Sequence, residues 1–220
     1  SDGAENYSWI IDDELSSFRV KKWTKKITEN IFSSQKPKIL DAGCGPGFFT
    51  IILNQACMET VGIDGAEKML QEARLKAARL GLAPVFRKMD CHQLDFADNT
   101  FDAVISRNLT HTLLDHKKVY KEWLRVLKPG GTLLIFDANW HLTECDEKLR
   151  TESLKRREEC IRLYGDAFDK KSNLKDTEEH ERNVGSHVLG DRKRPDWDMG
   201  LLQGIGYKNI SCERSIIEEM

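Results

Sequence analysis

Hydrophobic and polar positions change their period several times along this chain. Trp23, Ile27 and Ile31 recur every four residues among lysines and threonines, which predicts an amphipathic helix ahead of the rest. From Lys38 to Phe136, short apolar runs alternate with helical periodicity. Lys38–Asp41 reads as a first strand running into a glycine-rich turn, and Phe48–Cys57 as a helix. Glu59–Asp64 is a second strand. Ala66, Met69, Leu70, Ala73 and Ala77 then line one helical face, stopped at Gly81. Pro84–Met89 and Phe101–Ser106 give strands three and four. Val119, Trp123, Val126 and Leu127 face inward on a further helix that Lys128-Pro129-Gly130-Gly131 ends. Thr132–Phe136 is a fifth strand, almost wholly apolar, as expected when both faces of a sheet are covered. This alternation predicts an α/β fold: a doubly wound, mostly parallel sheet with helices on both faces.

After the fifth strand the alternation stops. Roughly 55 residues, Asn139 to Arg194, interrupt it, and Glu144–Arg162 mixes Lys, Arg and Glu throughout. That charge run predicts a solvated helix, with Leu149, Cys160, Ile161 and Tyr164 as a narrow contact face. Pro195-Asp196-Trp197 opens another helix with proline near its first position, and Trp197, Leu201 and Ile205 share a face. Tyr207–Ile216 reads as a sixth strand. The organisation is therefore an N-terminal helical lid (1–36), a core (37–138), a charged helical cap insertion (139–194) and the end of the core (195–220).

Composition narrows the function classes. A chain of 220 residues, 40% hydrophobic, suits one domain with a sizeable core. Its 34 basic and 36 acidic side chains leave a net charge of -2, which disfavours a nucleic-acid partner. No apolar run reaches membrane-spanning length or suits a signal peptide, so the expectation is a soluble chain with no membrane partner. Six cysteines form no CxxC pair, and Cys91 beside His92 reads as chance neighbours on a loop, so no metal is expected. Cys44, Cys57 and Cys91 fall in core or turn segments, which predicts reduced thiols and a cytoplasmic protein.

Asp41-Ala42-Gly43-Cys44-Gly45-Pro46-Gly47-Phe48 carries the candidate chemistry. It lies between the first strand and first core helix, where glycines let a ligand press against main-chain amides. Asp64 ends the second strand, about twenty residues on. An acid there accepts from both hydroxyls of a ribose, and Asp64-Gly65-Ala66-Glu67 also fits a helix N-cap; the two roles are compatible. Asp90-Cys91 follows the third strand, where a carboxylate can accept from an adenine amino group. All three lie at carboxyl ends of strands, where open parallel sheets bind ligands.

These segments resemble the motifs of the class I S-adenosylmethionine-dependent methyltransferases. DAGCGPGFF is similar to that family's first motif, VGID to its second, MDCHQLDFADNTFDAVIS to its third and fourth, and RVLKPGGTLLIFD to the late helix-turn-strand. The resemblance covers about Lys38 to Asp137 and weakly the rest. It implies a Rossmann-like core and S-adenosylmethionine as cofactor, with S-adenosylhomocysteine as product. It puts Asp41, Gly43, Cys44 and Gly45 around the methionine part, Asp64 with Gly65 at the ribose, and Met69 near the adenine. Asp90 and the Cys91 amide would read the adenine edge, and Arg107 and Asn108 would flank the sulfonium. The family's sheet ends with a seventh strand, for which Ile217–Met220 is short.

A dinucleotide oxidoreductase of NAD type is the rival, but Phe48 stands where its fingerprint needs a third glycine. Asp41 would also repel a pyrophosphate, whereas it favours a sulfonium. A regulator that holds S-adenosylmethionine or S-adenosylhomocysteine without transferring methyl is the remaining class.

Methyl transfer to a small or medium-sized molecule needs alignment, exclusion of water and, for some acceptors, removal of a proton. His111 after strand four and His141 after strand five are the candidate bases; either also suits an ordinary loop histidine. Asn108 resembles the first residue of the Asn-Pro-Pro-Tyr motif of some amino-group methyltransferases, but Leu109, Thr110 and His111 replace the rest, so that motif is not met. Trp140 is a candidate for the acceptor pocket or for core packing. Tyr7 and Trp9 are candidates for a lid over the cofactor or for helix packing.

Overall fold

β1 (Lys38–Ala42) is buried at four of its five positions, because it has a parallel neighbour on each side. One neighbour is β2 (Glu59–Asp64), in register from Lys38 opposite Glu59 to Ala42 opposite Ile63. The other is β4 (Phe101–Arg107), with Ile39 opposite Ala103. Adding β3 (Val85–Lys88) and β5 (Leu127–Phe136) gives a five-stranded, all-parallel sheet in the order β3-β2-β1-β4-β5. The chain winds outward from β1 to β3, then returns to the other side of β1 to lay down β4. The β1–β4 boundary is thus the topological switch point, the position where such sheets open a ligand crevice.

The computed structural model describes residues 2–31, 36–139, 147–164 and 193–213. These fall into two units, one comprising 1–110, 115–137 and 201–220, the other 111–114 and 138–200. In the first unit the helices are α1 (Asp2–Leu15), α2 (Arg19–Glu29), α3 (Phe48–Gln55), α4 (Glu67–Arg79) and α5 (His116–Val126). Trp23, Ile27, Phe49 and Ile52 pack with Ile39 and Ile105 in one apolar cluster. Trp23 meets Phe49 and Phe136 edge-on, at centroid distances of 5.1 and 5.0 Å. Ile51, Leu70, Ala73 and Phe86 form a second cluster, so α3 serves two cores at once.

The strand and helix pattern read from the sequence holds within a residue or two, with four differences. α2 ends at Glu29, so Ile31 lies beyond it, although it still packs on the core. Leu127 leaves the helix and opens β5; the Lys128–Gly131 stretch belongs to that strand, with a register irregularity opposite Phe101–Ala103. β5 is half-buried from Gly131 to Phe136 instead of covered on both faces, as befits an outer strand. The expected sixth strand is not formed over Tyr207–Glu213; its last residues, 214–216, lie outside the described residues. A strand needs a ladder partner, and among the described residues nothing pairs outside β5. Tyr207 instead donates its hydroxyl to the Tyr120 carbonyl at 3.0 Å.

In the second unit the charged run forms α6 (Glu147–Tyr164), with Leu149, Cys160 and Ile161 half-buried and most other described side chains exposed. Asn139 and Arg194, which bracket the insertion, bond reciprocally: Asn139 Nδ2 donates to the Arg194 carbonyl at 2.8 Å, and the Arg194 amide donates to Asn139 Oδ1 at 2.9 Å. α7 (Asp196–Ile205) follows.

Candidate active site

The glycine turn leaves β1 through three left-handed residues, Gly43, Gly45 and Gly47, with φ of 72°, 51° and 90°. L-residues are strained in that region. At Gly43 space matters too, since a Cβ there would stand 2.7 Å from Leu109 Cδ2. Leu109 follows β4, so the two chain segments flanking the switch point meet at Gly43. The turn is tied to β2 by three bonds. The amides of Gly43 and Cys44 both donate to the Ile63 carbonyl at 2.9 Å, and the Gly45 amide donates to Asp64 Oδ2 at 2.9 Å.

Asp64 has a second bond, Oδ1 accepting from the Ala66 amide at 2.8 Å. It is therefore not the N-cap of α4: that position is Ala66, without a side-chain cap, and Asp64 satisfies the Ala66 amide from two residues upstream. Each carboxylate oxygen keeps a further lone pair, and Asp64 remains partly exposed. Gly65 beside it is exposed, with open space where a Cβ would project. Met69 is half-buried on the first turns of α4.

Asp41 lies beneath the turn, 2% exposed. Its Oδ2 accepts from both the Thr50 amide at 2.9 Å and the Thr50 hydroxyl at 2.6 Å. Burial pushes its pKa up to about 7, against the opposing effect of the Thr50 hydrogen bonds. Its visible role is to join the turn to α3. Cys44 is buried, its thiol aimed at the Gly45 carbonyl at 3.7 Å; burial first, then the Asp41 and Asp64 charges, raise its pKa well above the ordinary thiol range.

Past β3, Asp90 Oδ1 accepts from the His92 amide at 2.9 Å and lies 2.7 Å from His92 Nδ1. These bonds hold its pKa below the usual carboxylate value. Cys91 is half-buried, and desolvation raises its thiol to about 11, so the side chain is a neutral thiol.

Arg107 ends β4 with a paired guanidinium. Its guanidinium gives both arms to Glu14, at 2.8 and 2.7 Å, and lies 5.1 Å from the Trp23 and Phe48 rings and 5.6 Å from Phe49. Glu14 is 5% exposed, and a carboxylate so buried needs a bidentate cation; Arg107 is in reach at the end of β4. Asn108 follows at φ 52°, half-buried, its amide donating to the Phe136 carbonyl at 2.9 Å. Thr110 next donates its hydroxyl to Asp137 at 2.6 Å, which fixes this loop to the end of β5.

Of the acceptor-side candidates, His111 is half-buried on a 3-10 turn (Thr110–Thr112) and belongs to the second unit. Trp9 is 52% exposed on α1. Trp140, His141 and the Tyr7 side chain lie outside the described residues. Neighbours of Trp9 do fasten α1 to α4. Ser8 donates to Glu72 at 2.8 Å, and Asp12 pairs with the buried Lys76 at 2.6 Å. Sequence reasoning missed Glu14, Thr50, Leu109 and Asp137. Thr50 carried a signal, lying one turn into a helix whose start is fixed by Asp41; Glu14 carried none.

Residues 40–135 match the family described as a methyltransferase domain. The chain is 33% identical over 129 residues to a phosphatidylethanolamine N-methyltransferase of Cereibacter sphaeroides, covering 58% of this chain and 63% of that protein. It is 33% identical over 118 residues to a demethylmenaquinone methyltransferase of Thermus thermophilus, covering 53% of this chain and 54% of the relative. A solved protein of Pyrococcus horikoshii superposes with a TM-score of 0.52 at 31% identity, covering 61% of this chain and 64% of the other. The chain thus spans between about half and two thirds of the length of these relatives.

Proposed function

Because residues 40–135 match a methyltransferase domain, we propose that this chain is a class I S-adenosylmethionine-dependent methyltransferase that transfers the methyl group of S-adenosylmethionine to a small or medium-sized molecule. The observation that carries this reading is the bond from the Gly45 amide to Asp64, which holds a carboxylate able to accept from a ribose beside the glycine turn at the end of β1. The residues fit the cofactor. Asp64 would hold the ribose hydroxyls, Asp90 and the Cys91 amide the adenine edge, and Met69 the adenine face. Gly43, Cys44 and Gly45 would line the methionine part, with Asp41 acting from below through its charge. When bound, S-adenosylmethionine supplies a methyl carbon already activated by sulfonium.

The chain's own work is then to orient and to exclude water. Asn108, held in its left-handed turn, is the polar side chain proposed beside the sulfonium, and Leu109 closes the Gly43 side. His111 and His141 are the proposed bases where an acceptor must lose a proton. The two relatives named above act on different acceptors, a phosphatidylethanolamine and a demethylmenaquinone, which supports a molecule of that size class without choosing between them. Cys44 is buried in the apolar core and Cys91 is half-buried, positions that suit reduced thiols and support the cytoplasm as location.

Calorimetry with S-adenosylmethionine, S-adenosylhomocysteine and NAD tests the cofactor. The first two bind; tighter binding of NAD overturns the reading. Transfer of a labelled methyl group to amine and quinol acceptors tests the reaction. Binding without transfer to any acceptor would leave a cofactor-holding regulator.

A further inference from the structure

α2 concentrates charge that the whole chain lacks. Five of its eleven residues are basic, and Glu29 is its one acid. Trp23 and Ile27 are its buried residues, so most of the cations point away from the core. Arg19 lies 4.0 Å from Glu14, and Lys26 bonds Glu213 at 2.5 Å. Lys21, Lys22 and Lys25 are exposed; the contact of Lys25 with Glu29, 3.7 Å between two exposed side chains, is weak in water.

Apolar surface accompanies this charge. Phe18, just ahead of the helix, is 63% exposed, with the Lys22 ammonium 5.2 Å from its ring centre. Between α2 and α3 runs a groove of about 440 Å³, with Val20, Ile52 and Ala56 in its wall beside Thr24, Thr28 and Gln55, and Lys21 and Lys25 also lining it. An exposed aromatic, a groove with an aliphatic wall and lysines beside both suit a surface that is apolar inside and anionic outside. We propose that this face of α2 docks the chain on an anionic lipid bilayer. Phe18 enters the interface, the groove takes part of one lipid chain, and Lys21, Lys22 and Lys25 hold phosphate-bearing headgroups. No helix among the described residues is long and apolar enough to cross a membrane, so the contact is peripheral. None of these residues belongs to the glycine turn, so the inference stands apart from the methyl-transfer reading.

The test is flotation of the full chain with vesicles of phosphatidylcholine alone, or with about one third phosphatidylglycerol, at low and high salt. The expected result is binding to the anionic vesicles only, weakening as salt rises. Each membrane-facing lysine contributes about fivefold, so Lys21→Glu with Lys25→Glu weakens binding by about tenfold or more. Phe18→Ser weakens it with the salt dependence retained. S-adenosylhomocysteine affinity and thermal unfolding stay unchanged in all variants, and Lys21→Gln with Lys25→Gln replaces the charge reversal if that one unfolds. Equal binding to neutral vesicles, binding to neither, an unchanged double variant, or displacement from the vesicles by duplex RNA each overturns the proposal. Failure of S-adenosylhomocysteine to bind at all would count against the cofactor reading and leave the vesicle result standing.

Discussion

Glu14 accepts both arms of the Arg107 guanidinium, at 2.8 and 2.7 Å, so the first helix of the chain is fastened to the carboxyl end of β4. The pair sits over three aromatic rings and is largely withdrawn from water. Removing one partner leaves the other buried and uncompensated, so Glu14→Ala should cost about 3 kcal/mol or more of folding stability in urea denaturation. Replacing both, Glu14→Leu with Arg107→Met, should recover most of that loss, because the aromatic surroundings accept apolar side chains. A double variant no better than the single one would show that the pair is not coupled.

Asp64 bonds two backbone amides and is proposed to hold the ribose, so Asp64→Ala acts twice. It should weaken S-adenosylmethionine binding by about 1.5–3 kcal/mol through lost charge-assisted hydrogen bonds. It should also lower stability, because the Gly45 and Ala66 amides lose their acceptor. Calorimetry on folded protein separates the two effects. Unchanged affinity with lowered stability would reduce Asp64 to a turn-former.

Burial raises the Asp41 pKa from its ordinary 3.8 to about 7. Between about pH 4 and 7 the native chain therefore keeps a proton that the unfolded chain has lost, and stability falls as pH rises through that window. Other carboxylates contribute slopes of their own, so the measurement is the difference between the wild-type and Asp41→Asn stability curves. That difference should change across the window and be flat above it, with the variant at least as stable as wild type at pH 8. If a sulfonium lies near Asp41, wild type should also come to prefer S-adenosylmethionine over S-adenosylhomocysteine as pH rises through 7, and the variant should not.

The core was legible because its signals are local and repeat. Asp64 ends β2 where the apolar run ends, and Gly81, at φ 69°, follows the helix it was expected to stop. The left-handed glycines of the turn were legible for the same reason. Contacts between distant segments were not. Nothing in Arg107 itself says that Glu14, 93 residues earlier, will take its guanidinium. The Leu109 side chain against Gly43 likewise follows only from the β1–β4 pairing. Tyr207–Glu213 shows the converse failure: a stretch read as part of a strand finds no ladder partner among the described residues.

The insertion between Asn139 and Arg194 is proposed to set acceptor choice and not cofactor binding. It leaves the core three residues after β5 ends, at the carboxyl edge where this fold binds ligands, while the cofactor residues proposed above all precede it. Its two ends are closed on each other by the reciprocal Asn139–Arg194 bonds, so its removal need not disturb the sheet. A segment of that length in a compact domain is usually functional when it is ordered. The decisive variant replaces 140–193 with a short Gly/Ser linker and keeps Asn139 and Arg194, so that the closure survives. The expected outcome is a folded protein whose S-adenosylhomocysteine affinity is within about threefold of wild type, since no cofactor residue is removed, and whose methyl transfer to its acceptor is lost. Asn139→Ala serves as the control for closure, because it opens both bonds while leaving every inserted residue in place. Lost cofactor binding in a folded linker variant would contradict the division of labour, and full turnover on the true acceptor would show that the insertion does not build the acceptor site.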